Sequence, residues 1–335
     1  MVVGLNAGGT SYGFEDGSSD AYARVGGDWR LAWRDALDGG GYVGLHSLVG
    51  IDYLGAPVDR AQDTEYLSGE IALPVVGNRL ILETSVLSSF NYGGDVGAFV
   101  EPDWGVTYRF TGERRAPEPY FGYRGGYRYE DRGDGDRMSN RGVLGIEYDP
   151  TVRFGTQLEA IGGHERYPSY DIPKTDGSPS DEVREDYLGE GRLTLDGLLG
   201  YFVDWQLDLT GGYRHSNADR YLDGPGEREK DSENRVESSA RTRLRWTPTR
   251  STAVEGSLGA TTHLYTEREA LDTDGSRTGE PLRVLDMEGS ANVDWTPDDE
   301  VFLNLGSTVT REIANEADFD SWRWTAEIGL EFVLQ

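Results

Sequence analysis

The segment Trp322–Gln335 reads "WRWTAEIGLEFVLQ", and every second side chain in it is apolar: Trp322, Trp324, Ala326, Ile328, Leu330, Phe332 and Leu334. Between them stand Arg323, Thr325, Glu327, Gly329, Glu331 and Val333. A period of two puts the two sets on opposite faces of a β-strand. Strands of soluble sheets average about 5–6 residues. This strand is about twice that length, and its two faces ask for different surroundings.

The pattern recurs along the chain. In "ARVGGDWRLAWR" Val25, Gly27, Trp29, Leu31 and Trp33 alternate with Arg24, Asp28, Arg30 and Arg34. "NRVESSARTRLRW" sets Val236, Ala240, Leu244 and Trp246 against Glu237, Ser239, Arg241, Arg243 and Arg245. "LDMEGSANVDW" sets Leu285, Met287, Ala291, Val293 and Trp295 against Asp286, Glu288, Asn292 and Asp294. Helical stripes of period 3.6 are missing.

Composition narrows the class. No run approaches the roughly 18 apolar residues of a membrane helix, which excludes a helical membrane protein. Acids outnumber Lys and Arg 60 to 32, so the chain lacks the cationic footprint that nucleic acid requires. The absence of cysteine removes disulfides and thiolate metal sites and suits an envelope protein. Aromatics at 11% are too many for a disordered acidic chain. The opening "MVVGLNAGG" has neither a basic n-region nor an apolar h-region, and is expected to begin a mature or excised domain with an added Met1.

This reading divides residues 1–335 into about sixteen strands of one domain, roughly 11–15 residues each, the length that crosses a bilayer when tilted. They are expected near 2–13, 21–35, 41–54, 65–76, 79–92, 96–110, 119–130, 137–148, 152–164, 186–200, 203–215, 235–246, 252–265, 283–296, 300–311 and 321–334. Alternate connections are short and rich in turn residues: "VGN" at 76–78, "DPT" at 149–151, "TPTRS" at 247–251 and "TPDDE" at 296–300. Those between are often long and polar, notably 165–185, 217–234 and 266–282. Aromatics sort to the strand ends. Trp33, Phe110, Tyr148, Trp205, Trp246, Trp295 and Phe332 lie near the short turns. Tyr53, Phe90, Tyr92, Tyr129, Tyr187, Tyr213 and Trp322 lie near the long loops. Two belts fit rings at the two headgroup levels of a bilayer.

The fold expected is therefore all-β: a transmembrane antiparallel up-and-down β-barrel with short periplasmic turns, long extracellular loops and both termini periplasmic. In these strands, turns and belts the chain resembles the bacterial outer-membrane β-barrel superfamily, and within it the sixteen-strand porin-like channels. The resemblance implies a Gram-negative-type outer membrane, with lipid, lipopolysaccharide and the barrel-assembly machinery as partners. The last strand resembles the C-terminal assembly signal of that superfamily, but here Phe332 is followed by Val333, Leu334 and Gln335. General trimeric porins fold a long third outer loop inward; here the corresponding "YGGD" at 92–95 is too short, so any constriction must come from later loops or lumenal side chains.

Inward charges are expected to line an aqueous lumen: Arg24, Arg30, Arg34, Arg241, Arg243, Arg245, Glu255, Asp286, Glu288, Asp294, Glu327 and Glu331. They suit a non-enzymatic channel for small polar solutes or ions, with no cofactor and a mild cation preference. Two alternatives are an exit barrel of an export system, carrying for example an exopolysaccharide, and a structural barrel that houses a partner protein. Among candidate motifs, "YRHSNAD" sets His215 beside Ser216 and Asp219 near an outer rim, where base catalysis is chemically conceivable. The acidic runs Asp272–Gly275 and Asp131–Arg137 do not match a twelve-residue calcium loop; they read as solvated loops that could hold divalent ions loosely against lipopolysaccharide. "RGD" at Arg132–Asp134 is read as coincidental in such a loop. "GGTSYG" lacks the lysine of a phosphate loop.

Overall fold

The computed structural model describes the chain outside residues 1, 15–18, 38–40, 55–59, 93–97, 113–114, 132–134, 173–181, 219, 222–227, 230–232, 273–275, 298–300, 317–320 and 334–335. At 2–14, 19–24, 52–54, 60–62, 91–92, 171, 220–221, 228–229 and 331–333 it describes the backbone alone. The first nine strands are β1 (Val2–Phe14), β2 (Ser19–Leu37), β3 (Gly41–Leu54), β4 (Arg60–Val75), β5 (Asn78–Tyr92), β6 (Phe99–Arg109), β7 (Glu118–Glu130), β8 (Arg137–Thr151) and β9 (Phe154–Asp171). There follow β10 (Val183–Leu199), β11 (Val203–Ser216), β12 (Arg220–Tyr221), β13 (Arg228–Glu229), β14 (Arg235–Thr249), β15 (Thr252–Leu271), β16 (Arg277–Trp295), β17 (Val301–Ala314) and β18 (Ser321–Val333).

Fifteen of these, β2–β11 and β14–β18, form one antiparallel up-and-down sheet in which sequence neighbours are spatial neighbours. The two edges of that sheet meet on β1. It pairs with β2 from Val2↔Arg30 to Gly13↔Ser19 and with β18 from Val2↔Val333 to Phe14↔Ser321, which closes the order into a barrel. The expected count of about sixteen is thus reached only with β1 as the closing strand. β12 and β13 form a separate two-residue ladder within the connection expected at 217–234.

Three connections differ from expectation. β9 runs to Asp171 and β10 starts at Val183, so much of 165–185 is strand; β15 runs to Leu271 and β16 starts at Arg277, shortening 266–282 in the same way. At the other end β8 continues through "DPT" and turns at Val152–Arg153. The extensions are mostly polar, as in "ERYPSYD" at 165–171 and "TERE" at 266–269. Backbone pairing, which any sequence can make, therefore continues them past the point where the apolar alternation stops. At Val76–Gly77 both residues have positive φ, 48° and 80°, the requirement of a two-residue type I′ hairpin turn.

The two faces are chemically distinct. On the strands whose side chains are described, large apolar side chains are exposed on one face, among them Trp33, Leu45, Leu82, Phe121, Leu144, Leu158, Leu244, Leu258, Leu305 and Ile328. On the other face, polar side chains reach across an intervening strand: Arg109 on β6 to Glu147 on β8, Tyr120 on β7 to Glu159 on β9, Arg241 on β14 to Glu288 on β16. Such convergence marks the concave face of a curved sheet. Tyr120 makes its crossing because Gly145 in the strand between has no side chain; a Cβ there would lie 2.2 Å from the tyrosine ring. Two small apolar clusters also face inward. One is Tyr120, Val143 and Ile161 with Leu188; the other, at the ends of β15–β17 away from the tight turns, is Ala270, Leu282 and Val284 with Tyr265 and Ala314.

Candidate functional site: the inner wall

The inner wall of β14 carries Arg241, Arg243 and Arg245, because alternate residues of a strand share a face. Each has a countercharge or acceptor. Arg241 lies 3.2 Å from Glu288, and its register partner on β11 is Asp208. Arg243 donates to Gln206 Oε1 at 3.1 Å. Arg245 stands in register between Asp204 and Glu255. On β2, Arg30 Nε lies 2.6 Å from Asp28, and the Arg34 guanidinium sits 3.7 Å above the Tyr42 ring. Asp286 lies 3.2 Å from His263 Nε2, and Asp294 accepts from Asn304 at 2.6 Å. Glu327 lines a cavity of about 350 Å³ with Glu288 and Arg323. The side chains of Arg24 and Glu331 lie outside the described residues.

On the outer face, Trp33, Phe110, Tyr148, Trp246 and Trp295 are exposed near the tight turns, and Phe90, Tyr129, Tyr187, Tyr213 and Trp322 near the opposite ends. Trp205 is half-buried, its indole lying over Gly197. The side chains of Tyr53, Tyr92 and Phe332 lie outside the described residues.

The most highly organised polar group on the wall was missed in the sequence. Glu165, Asp186 and Ser216, from β9, β10 and β11, are each 0% exposed. Arg214 bridges both acids, at 3.1 Å to Glu165 and 2.9 Å to Asp186. Arg141 donates to Glu165 at 2.6 Å, and Arg184 grips Asp186 with two bonds of 3.0 and 2.8 Å. Tyr167 donates to Glu165 at 3.1 Å. Charges this deeply buried are tolerable only because each carboxylate is ion-paired and hydrogen-bonded. Part of this was countable: the tight turn after Leu199 sets Asp186 opposite Ser216. Glu165 lies across a long connection, where counting fails.

The same group disposes of the catalytic motif. The Ser216 hydroxyl donates to Asp186, while His215 points to the other face, 3.1 Å from Asn234 Oδ1. Neighbouring residues of one strand cannot form a serine–imidazole pair. Asp219 lies outside the described residues. Among the described residues no three His, Asp or Glu side chains gather as a metal site.

No family model matches the chain, and no curated protein sequence matches it. Solved structures similar to it include OccK1 (OpdK) of Pseudomonas aeruginosa, with 12% identity, TM-score 0.48, and coverage of 99% of this chain and 98% of that one. A bacterial polysaccharide outer membrane secretin has 7% identity, TM-score 0.46, and coverage of 99% and 98%. A loop-deletion mutant of OmpT, an outer membrane protein of Vibrio cholerae, has 10% identity, TM-score 0.40, and coverage of 98% and 99%.

Proposed function

We propose that the chain is an outer-membrane β-barrel of a Gram-negative-type bacterium, acting as a channel for small polar solutes and ions. The observation that carries this reading is the sorting of side chains on a closed ring: apolar groups exposed outward, charges converging inward. Closure leaves no sheet edge for lipid to meet, and a ring of this strand number leaves room for water inside. The tight turns and both termini then lie on the periplasmic side. The outward aromatics sit at the two headgroup levels, and lipid and lipopolysaccharide surround the barrel once the assembly machinery has inserted it. Because Arg241, Arg243 and Arg245 are countered by Glu288, Asp208, Gln206, Asp204 and Glu255, the surplus acids of a chain with net charge −28 set a modest cation preference. Detergent-folded protein added to planar bilayers in KCl should give stepwise conductance. Membrane insertion without conductance would overturn the channel.

A further inference from the structure

One transverse row of the inner wall has an arrangement of charge that solvation alone does not explain. Following the register from β4 to β8, the row reads Glu70, Glu83, Gly105, Arg124, Arg141. Two acids stand directly opposite one another, then comes a residue with no side chain, then two arginines. Like charges directly opposite each other are unfavourable, and opposite charges are favourable. A wall that needed only to be wet would gain by alternating the signs.

The outer member of each pair is already held. Glu70 accepts from the Tyr42 hydroxyl, and Arg141 is bound to the buried Glu165. Glu83 and Arg124, the inner members, have no ion-pair partner among the described residues, including each other. They face across Gly105. A Cβ at Gly105 would lie 3.3 Å from Glu83 Oε2 and 3.6 Å from Arg124 Cγ, so both flank a single notch. The notch belongs to a cavity of about 610 Å³ at mid-height of the wall, which Ser139 also lines.

We propose that this notch is a subsite for zwitterionic α-amino acids. An α-amino acid carries its ammonium and carboxylate on one carbon. Seated over Gly105, the ammonium meets Glu83 and the carboxylate meets the Arg124 guanidinium, which can bind it with two parallel N–H donors. The missing side chain at 105 admits the α-carbon, and the solute's own side chain points into the lumen. A simple anion gains only the arginine contact and a simple cation only the glutamate contact. This assignment rests on the channel reading for its physiological meaning, though not for its test.

The test is equilibrium dialysis of the folded full chain in detergent, with radiolabelled L-alanine, propionate and propylamine. L-alanine should be retained saturably, and each single-charge probe about tenfold more weakly or worse, the loss expected for one charge-assisted contact. Gly105→Leu, which fills the notch and keeps all four charges, should abolish retention of L-alanine. Arg124→Gln should weaken L-alanine and propionate and leave propylamine unchanged; Glu83→Gln should do the converse. The slower gel migration of heated samples verifies that each variant is folded, and the two charge variants decide the matter if Gly105→Leu does not fold. L-alanine bound no better than propionate and propylamine, or retention unchanged in Gly105→Leu, would overturn the subsite. Bilayer conductance on the same preparation separates the two ideas: conductance without L-alanine retention sinks the subsite alone, and retention without conductance sinks the channel alone.

Discussion

An arginine placed at Ile328 should distinguish a lipid-facing surface from a water-facing one on a single strand. Trp322 and Phe332, the aromatics at the two ends of β18, are ten residues apart. That is about 33 Å along the strand, or about 25 Å along the membrane normal at a tilt near 40°, the height of the apolar band of such barrels. Ile328 lies about 10 Å inside the nearer belt on this scale, close to the midplane. Its side chain is 49% exposed, and its register partners are Leu305 and Ala7, so a guanidinium there finds no acid beside it. Ile328→Arg should therefore destabilise by about 2–4 kcal/mol, roughly 30- to 900-fold in the folding equilibrium. Thr325, three residues away on the opposite face, lines the cavity that holds Glu288 and Glu327. Thr325→Arg should change stability by less than about 0.5 kcal/mol. The assay is reversible unfolding in guanidinium from phospholipid vesicles, followed by the fluorescence of the eight tryptophans. Equal losses at both positions, or none at Ile328, would show that the faces are assigned wrongly.

Three further outcomes follow from named contacts. Glu165→Gln leaves Arg141 and Arg214 short of a buried counter-ion and should cost about 3–5 kcal/mol in the same unfolding assay; a loss below 1 kcal/mol would mean that water already screens the group. Val76→Asn should stabilise by about 1–2 kcal/mol, because a β-branched residue at φ 48° is replaced by one that tolerates left-handed backbone; a lower denaturation midpoint would contradict the type I′ turn. Joint neutralisation of Asp286, Glu288 and Glu331 should reduce the reversal potential in a KCl gradient, with the wild-type preference fading as salt rises and screening tightens. An anion-selective wild type would mean that Arg241, Arg243 and Arg245 dominate the narrowest point.

Alternation alone determined that this chain is built of long strands, and which face of each is apolar, because side chains of a strand alternate strictly and a one-residue error would exchange the two faces. Tight turns extended that reading to pairs. Counting outward from Val76–Gly77 places Glu70 against Glu83, and from the turn after Leu199 places Asp186 against Ser216. Across the long connections the count is lost, since a polar hairpin can be extended by any number of paired residues without changing the pattern. Glu83 against Gly105, Arg124 against Arg141, and Glu165 against Asp186 were decided only when the sheet closed on β1 and every register had to be satisfied at once. The strands and their faces are local properties of the chain. The charge groups of the wall are assembled from residues far apart in the chain, as Glu165 and Arg214 are at 49 positions, and only the paired sheet brings them together.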